Sequence, residues 1–322
     1  MTFTFRPAVR ENVGLWINLV AGTGGGKTFT AMRLASGICV DKPFAVIDTE
    51  NRRALHYADQ FKFEHAELRP PFRPEAYADA IVAADKGGYP VIVVDSGSHV
   101  WAGDGGVLDW QEEELNRMAG DDYAKRERVK MSAWIKPKMA HKQMVQKLLQ
   151  VKAHIILCLR AEEKIEMVKE DGKLVVRPKQ SMTGKDGWIP VCDKNLPFEA
   201  TCSFLLLASS PGRPHPIKLQ EQHRSIFPLD KPITEESGKL LAAWAAGGSP
   251  KVTSSLPPSE PSGTPANGQY VTPEQAFELE RMCEERGIVA AFKKRAEVER
   301  FAQVLTADYE NARKWISKQA PA

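Results

Sequence analysis

The chain has 322 residues, with 44 Lys and Arg against 41 Asp and Glu, a net charge of +3, 43% hydrophobic and 26% charged residues. That length suits one large domain and a small one, and the composition is that of an ordinary soluble globular protein. A near-neutral balance excludes a nucleic-acid partner held by global basic charge, so any such partner must be met by a local patch.

Residues 15–21 predict a first strand, and the helical pattern from Phe29 to Ile38 puts a helix over 27–38. Between them runs Ala21-Gly22-Thr23-Gly24-Gly25-Gly26-Lys27-Thr28, a phosphate-binding loop in the strand–loop–helix setting that the motif needs. Its first position is Ala rather than Gly, a mild departure. Glycines let backbone N–H groups face a polyphosphate, and the following helix adds its positive end. Lys27 is expected to reach the β- and γ-phosphates of ATP, and the Thr28 hydroxyl to ligate Mg²⁺. A plain Gly-rich turn would not explain the Lys-Thr pair.

Phe44-Ala45-Val46-Ile47-Asp48 reads as a short buried strand, 74–86 as a helix ended by Gly87-Gly88, and Val91-Ile92-Val93-Val94-Asp95 as a strand apolar on both faces. A helical stretch over 123–151, interrupted near Pro137, precedes a strand at His154–Leu159. Residues 164–178 predict a hairpin with an Asp171-Gly172 turn, Cys202–Ala208 another strand and 234–246 a helix. The alternation argues for an α/β fold with a mostly parallel central sheet flanked by helices. The domain plan is 1–248 for this unit, 249–269 for a flexible Ser/Pro/Gly linker, and 270–322 for a small helical domain of two or three helices starting at Thr272-Pro273-Glu274-Gln275. That last domain carries nine basic and nine acidic residues.

Asp95 at the end of its strand is placed to hold Mg²⁺ through water, the alternative being a turn cap. Glu50, just past the second strand, could face the γ-phosphate and orient an attacking water, the alternatives being a helix cap or Asp48 in the same role.

Three segments (the phosphate loop, Phe44–Glu50 and Val91–Ser96) resemble the RecA-like recombinase ATPases over roughly residues 14–245. Within them the chain is most similar to bacteriophage RecA-like P-loop ATPases of the single-strand annealing and recombination type. Those share Asp48-Thr49-Glu50 followed by Tyr57-Ala58-Asp59, a Gly-Gly-Tyr lead into the third strand, and Ser96-Gly97-Ser98-His99-Val100-Trp101-Ala102-Gly103. The resemblance implies that Glu50 is the general base, with Lys27 assisting. It also implies single-stranded DNA and a single-strand-binding protein as partners, and assembly as a homo-oligomer. One departure stands out: RecA proteins end the fourth strand with a γ-phosphate-sensing Gln, and Arg160 stands at that point. Arg160 is either a sensor or an ion-pair partner of Glu162 or Glu163.

Two regions, roughly 102–136 and 161–196, correspond to the flexible DNA-gripping loops of RecA-like folds. Tyr123 to Lys142 holds Lys125, Arg126, Arg128, Lys130, Lys136, Lys138 and Lys142 against Glu127 alone, a candidate phosphate-contacting patch or a solvated helix face. The second region adds Lys179 and Lys185, with Trp188 either stacking on bases or packed under the hairpin. The C-terminal helices resemble short tails of phage recombination proteins. Phe277, Leu279, Met282, Ile288, Phe292, Phe301, Leu305, Trp315 and Ile316 are expected mostly to form their own core.

The cysteines (Cys39, Cys158, Cys192, Cys202, Cys283) form no CxxC pair and point to reduced thiols. The seven histidines lack metal-ligand spacing. Without a leader segment or a long apolar run, a cytoplasmic location (the host's, if phage-encoded) and no membrane are expected. A nucleotide kinase and a non-hydrolysing adaptor or loader remain the alternative functions.

Overall fold

The computed structural model describes residues 13–170, 173–181, 187–247, 270–296, 298 and 300–319. The expected linker, the Asp171-Gly172 turn and Lys185 lie outside the described residues. The chain divides into two compact units, Met1–Val252 and Thr253–Ala322.

The first unit alternates strands and helices. β1 (Trp16–Ala21) leads to α1 (Lys27–Cys39), β2 (Phe44–Asp48), β3 (Phe63–Glu67), α2 (Pro74–Lys86) and β4 (Val91–Asp95). Then come α3 (His99–Ala102), α4 (Val107–Ala119), α5 (Tyr123–Ala133), α6 (Ile135–Leu148) and β5 (His154–Glu163). A two-stranded ribbon follows, β6 (Ile165–Glu170) and β7 (Lys173–Pro178), and after it β8 (Trp188–Pro190), α7 (Leu196–Glu199), β9 (Cys202–Leu206), β10 (His215–Lys218) and α8 (Glu235–Ala245). The sheet order is β10-β9-β1-β5-β4-β2-β3, with β8 pairing the far end of β5. All pairs from β9 to β3 are parallel, while β10 and β8 join antiparallel. The expected α/β fold with a mostly parallel, helix-flanked sheet is what the chain adopts.

Two apolar layers explain why the central strands read as unbroken hydrophobic runs. One face of β1 sends Ile17, Leu19 and Ala21 against α1 and α8 residues such as Met32, Leu34, Leu241 and Trp244. The other face sends Trp16 and Val20 towards Tyr77, Ile81, Met144 and Leu148 of α2 and α6. Asn18 is fully buried in β1, and its polar atoms are satisfied: Trp16 Nε1 donates to its Oδ1 at 2.8 Å, and its Nδ2 donates to Ser203 Oγ at 3.1 Å. α1 and α8 cross so closely that a Cβ on Gly37 would lie 2.0 Å from the Glu235 carbonyl oxygen. The bidentate Arg33–Glu235 pair, at 2.6 Å, spans the same crossing.

Several expectations need correction. The helical stretch over 123–151 breaks at Trp134, and Pro137 sits in the first turn of α6, where a proline lacks no needed N–H. The region 102–136, set against a DNA-gripping loop of RecA-like folds, is mostly α4 and α5, helical from Tyr123 as the sequence predicts. Gly106 starts α4, and Leu115 and Ala119 bury its inner side. The region 161–196, set against the second such loop, holds the end of β5, the expected hairpin as the β6–β7 ribbon, and β8. Strand β9 ends at Leu206, two residues earlier than expected.

In the second unit, α9 (Pro273–Glu284), α10 (Val289–Ala296) and α11 (Tyr309–Ser317) enclose a core of Leu279, Cys283, Phe292, Phe301 and Ile316. Thr272 and Gln275 form a reciprocal capping box at the start of α9, as the sequence predicts. Phe277 is the exception to the expected core. It is 68% exposed, because Ala276, Leu279 and Cys283 set the buried stripe of α9 and residue 277 falls off it.

Candidate functional site

Strand register assembles the site. Asp48 lies beside Asp95, Asp95 beside Cys158 and Cys158 beside Leu19. Two residues further on, Arg160 lies beside Ala21, the last residue of β1 and the first of the phosphate loop. Glu50 is likewise two residues past Asp48. Because β5 is inserted between β1 and β4, its end brings Arg160 between the loop and Glu50.

The loop is shaped by what touches it. Gly24 and Gly26 have φ of 81° and 79°, left-handed values that L side chains rarely adopt. A Cβ on Gly25 would lie 2.5 Å from the Leu206 carbonyl oxygen, and one on Gly22 would lie 2.5 Å from the Trp188 ring. Trp188 therefore covers Gly22 and packs against the core layer on the α2 and α6 side of the sheet. Gly212 N–H donates to Gly25 O at 3.1 Å, so the turn after β9 braces the loop from below.

Lys27, Thr28 and Asp95 meet at the head of α1. Lys27 Nζ lies 3.2 Å from Asp95 Oδ1, and Thr28 Oγ1 donates to Asp95 Oδ2 at 2.5 Å. Burial works against the Lys27 ammonium, yet Asp95, Cys158 and Glu50 outweigh it and hold its pKa above the ordinary value. The Thr28 hydroxyl and the Asp95 carboxylate are hard oxygen donors, a set that fits Mg²⁺. Among the described residues no group of three or more His, Cys, Asp or Glu could cage a metal alone. Mg²⁺ is ordinarily held by one or two carboxylates together with substrate phosphates, the kind of donor set that Asp95 and Thr28 offer.

Glu50 lines the same cavity, of about 510 Å³, as Lys27, Thr28 and Arg160. Its side chain is only 6% exposed and is gripped by two arginines, Arg160 at 3.0 Å and Arg53 at 2.9 Å. Burial would raise its pKa, but Lys27, Arg160 and Arg53 together bring it below the usual carboxylate value. The partner of Arg160 is thus Glu50, not Glu162 or Glu163, because the register sets Arg160 opposite the cavity. Asp48 is no rival for the role of Glu50. It is 1% exposed, and its carboxylate accepts from Glu50 N at 2.6 Å and Ala54 N at 2.9 Å.

Sequence reasoning missed four lining residues, Phe29, Arg53, Tyr57 and Ala161. Phe29 is 40% exposed and stands 5.9 Å from Tyr57, ring centre to ring centre, giving the cavity an aromatic wall. The signal was available: Phe29 follows the Lys-Thr pair directly, in the first turn of the helix that opens on the phosphates.

The basic patch is divided. Arg126 is held by Glu112, Asn116 and the Gly120 carbonyl, Lys130 pairs with Glu127 at 3.4 Å, and Lys136 pairs with Glu114 at 3.2 Å. Lys125, Arg128, Lys138 and Lys142 stand exposed on α5 and α6, as does Lys179 after β7. No helix among the described residues is long and apolar enough to cross a membrane.

A family model described as an AAA domain matches residues 14–193, more than half of the chain and the whole span from β1 to the segment after β8. No curated protein matches the chain.

Proposed function

The chain belongs to the AAA domain family, and on that premise we propose that it binds ATP with Mg²⁺ and hydrolyses it as a RecA-like ATPase of phage recombination type acting on single-stranded DNA. The observation that carries this reading is the convergence of Lys27, Thr28 and Asp95 at the loop, with the shielded Glu50 carboxylate across the same cavity.

In this reading the loop N–H groups and Lys27 bind the phosphates. Bound Mg²⁺ would neutralise charge developing on the phosphate oxygens, held by Thr28 and, directly or through water, by Asp95. Glu50 accepts a proton from water, and its low pKa keeps it ionised for that task. Arg160 and Arg53, now spent on Glu50, are the cations in reach of a terminal phosphate. Phe29 and Tyr57 offer a flat wall to the base. The exposed cations of α5 and α6 supply the DNA contacts, with oligomer neighbours and a single-strand-binding protein as further partners, in the cytoplasm of a host cell. Both arginines lining the cavity are engaged by Glu50, so the arginine-rich lid of a nucleotide kinase finds no support here.

The test is ATP hydrolysis with and without single-stranded DNA. Glu50→Gln is expected to keep nucleotide binding and lose at least about tenfold in rate, the order for a positioned general base. Lys27→Ala is expected to lose nucleotide binding. Unchanged hydrolysis in the first variant, or unchanged affinity in the second, contradicts the assignment. A rate that ignores DNA contradicts the partner.

A further inference from the structure

Beside the cavity, at the carboxyl ends of β2 and β4, lies a buried polar knot. Thr49 Oγ1 receives the Ser96 N–H at 2.8 Å and lies 3.1 Å from the Ser96 carbonyl oxygen and 2.8 Å from His99 Nδ1. A hydroxyl has one proton to give and two lone pairs to receive. The Ser96 carbonyl only accepts, so the hydroxyl proton goes there. The two lone pairs then take the Ser96 N–H and a proton carried on His99 Nδ1. That arrangement corresponds to the neutral ring with Nδ1 protonated and Nε2 bare. Burial, seconded by Arg160, lowers the His99 pKa, so the ring is neutral at ordinary pH. Phe72 stacks on it, ring centres 5.0 Å apart and 26° between planes, and holds its orientation.

This knot joins the two strands that carry the site's carboxylates. Thr49 N donates to Asp95 O at 2.8 Å, and Tyr77 OH donates to Ser96 O at 2.9 Å. His99 opens α3, four residues past Asp95, and Thr49 is the residue immediately before Glu50. Ser98 belongs to the same arrangement: its Oγ accepts from Arg160 N at 2.8 Å.

We propose that His99 is a positioning residue for hydrolysis: through Thr49 it fixes the Glu50 carboxylate relative to Asp95, and so the water relative to the metal side of the phosphate. The inference rests on Glu50 being the base. It requires that loss of the His99–Thr49 bond slow the chemical step and leave nucleotide binding alone, because Lys27 and the loop are built without it.

Four variants separate this from a packing role. His99→Ala is expected to lose about tenfold in kcat, a fraction of the cost of a 1 Å misplacement, with nucleotide affinity within about twofold of wild type. The His99→Asn amide overlies the Nδ1 position and is expected to recover most of the rate. The His99→Gln amide reaches only the level of Nε2 and is expected to behave like His99→Ala. Should His99→Ala fail to fold, the Asn and Gln pair carries the comparison, with melting temperatures measured for both. Equal rates in the Asn and Gln variants, or a loss of affinity matching the loss of kcat, overturn the proposal. Glu50→Gln is run alongside. If it hydrolyses ATP like wild type, the base assignment has failed, and that is read separately from any His99 result. The tautomer gives an arm independent of hydrolysis. The ¹⁵N spectrum of the full chain at neutral pH should show His99 protonated on Nδ1, and protonation on Nε2 instead overturns the geometry.

Discussion

Glu50 shows how a nearly enclosed carboxylate stays charged: Arg160, Arg53 and Lys27 surround it, and their attraction exceeds the cost of burial. His154 shows the opposite outcome. It has no charged partner, Leu15 N–H donates to its Nδ1 at 3.3 Å, and burial pushes its pKa down to about 4. An unfolded chain would hold that proton up to about pH 6.5. Between these values the unfolded state binds the proton that the folded state refuses, so stability rises with pH across the window and is lost as pH falls through it. The contribution is on the order of 3 kcal/mol. Urea unfolding near pH 4.5 and pH 7.5 should show a smaller pH-dependent loss for His154→Gln than for wild type, and equal losses would acquit His154. The buried thiols tell a similar story. Burial holds Cys39, Cys192 and Cys202 at about 12, so they are poor nucleophiles.

At the level of elements, the most demanding approach is the crossing of α1 and α8. Gly37 meets the Glu235 carbonyl, and a Cβ on Gly238 would lie 2.4 Å from the Leu34 carbonyl oxygen. Gly37→Ala forces the helices apart and is expected to cost ~1–3 kcal/mol, the range for overpacking. Thermal or denaturant unfolding measures it, and a neutral result would mean the crossing relaxes freely. This crossing was illegible in the sequence, since nothing in the run Ser36-Gly37-Ile38 says what packs on it. The central strands were legible because β2, β4 and β5 are apolar on both faces and bounded by turns. β3 was not, because Phe63-Glu64-His65-Ala66-Glu67 is an edge strand with mostly polar side chains. β10 and β8 are three or four residues long and contain prolines, which hides them in the same way.

For the whole molecule, the site was largely readable because its parts sit at strand ends whose order follows from the alternation of elements. What the sequence could not reveal is which side chains pair across strands. Arg160 meets Glu50 through 110 residues of separation, and Trp188 lies on Gly22. Charge distribution is the other global property. With a net charge of only +3, the single-strand binding proposed above calls for a local patch, and the exposed cations of α5 and α6 are the candidate. Replacing Lys125, Arg128, Lys138 and Lys142 by Ala is expected to weaken binding to an oligothymidine. The salt slope should fall by ~0.7 for each phosphate that is no longer neutralised. Titrations at several salt concentrations check this, and unaltered affinity and slope would move the DNA site elsewhere.

β5 runs unbroken from His154 to Glu163, and a single residue, Lys164, separates it from the ribbon. At ~3.3 Å per residue it is a rod of roughly 30 Å, held between β1 and β4 over its first half and paired with β8 at its far end. A stiff beam with no joint has one mechanical consequence. Arg160 at mid-span and the foot of the ribbon belong to that one beam, whose far end β8 also holds, so the phosphate cradle and the ribbon rest on a common member.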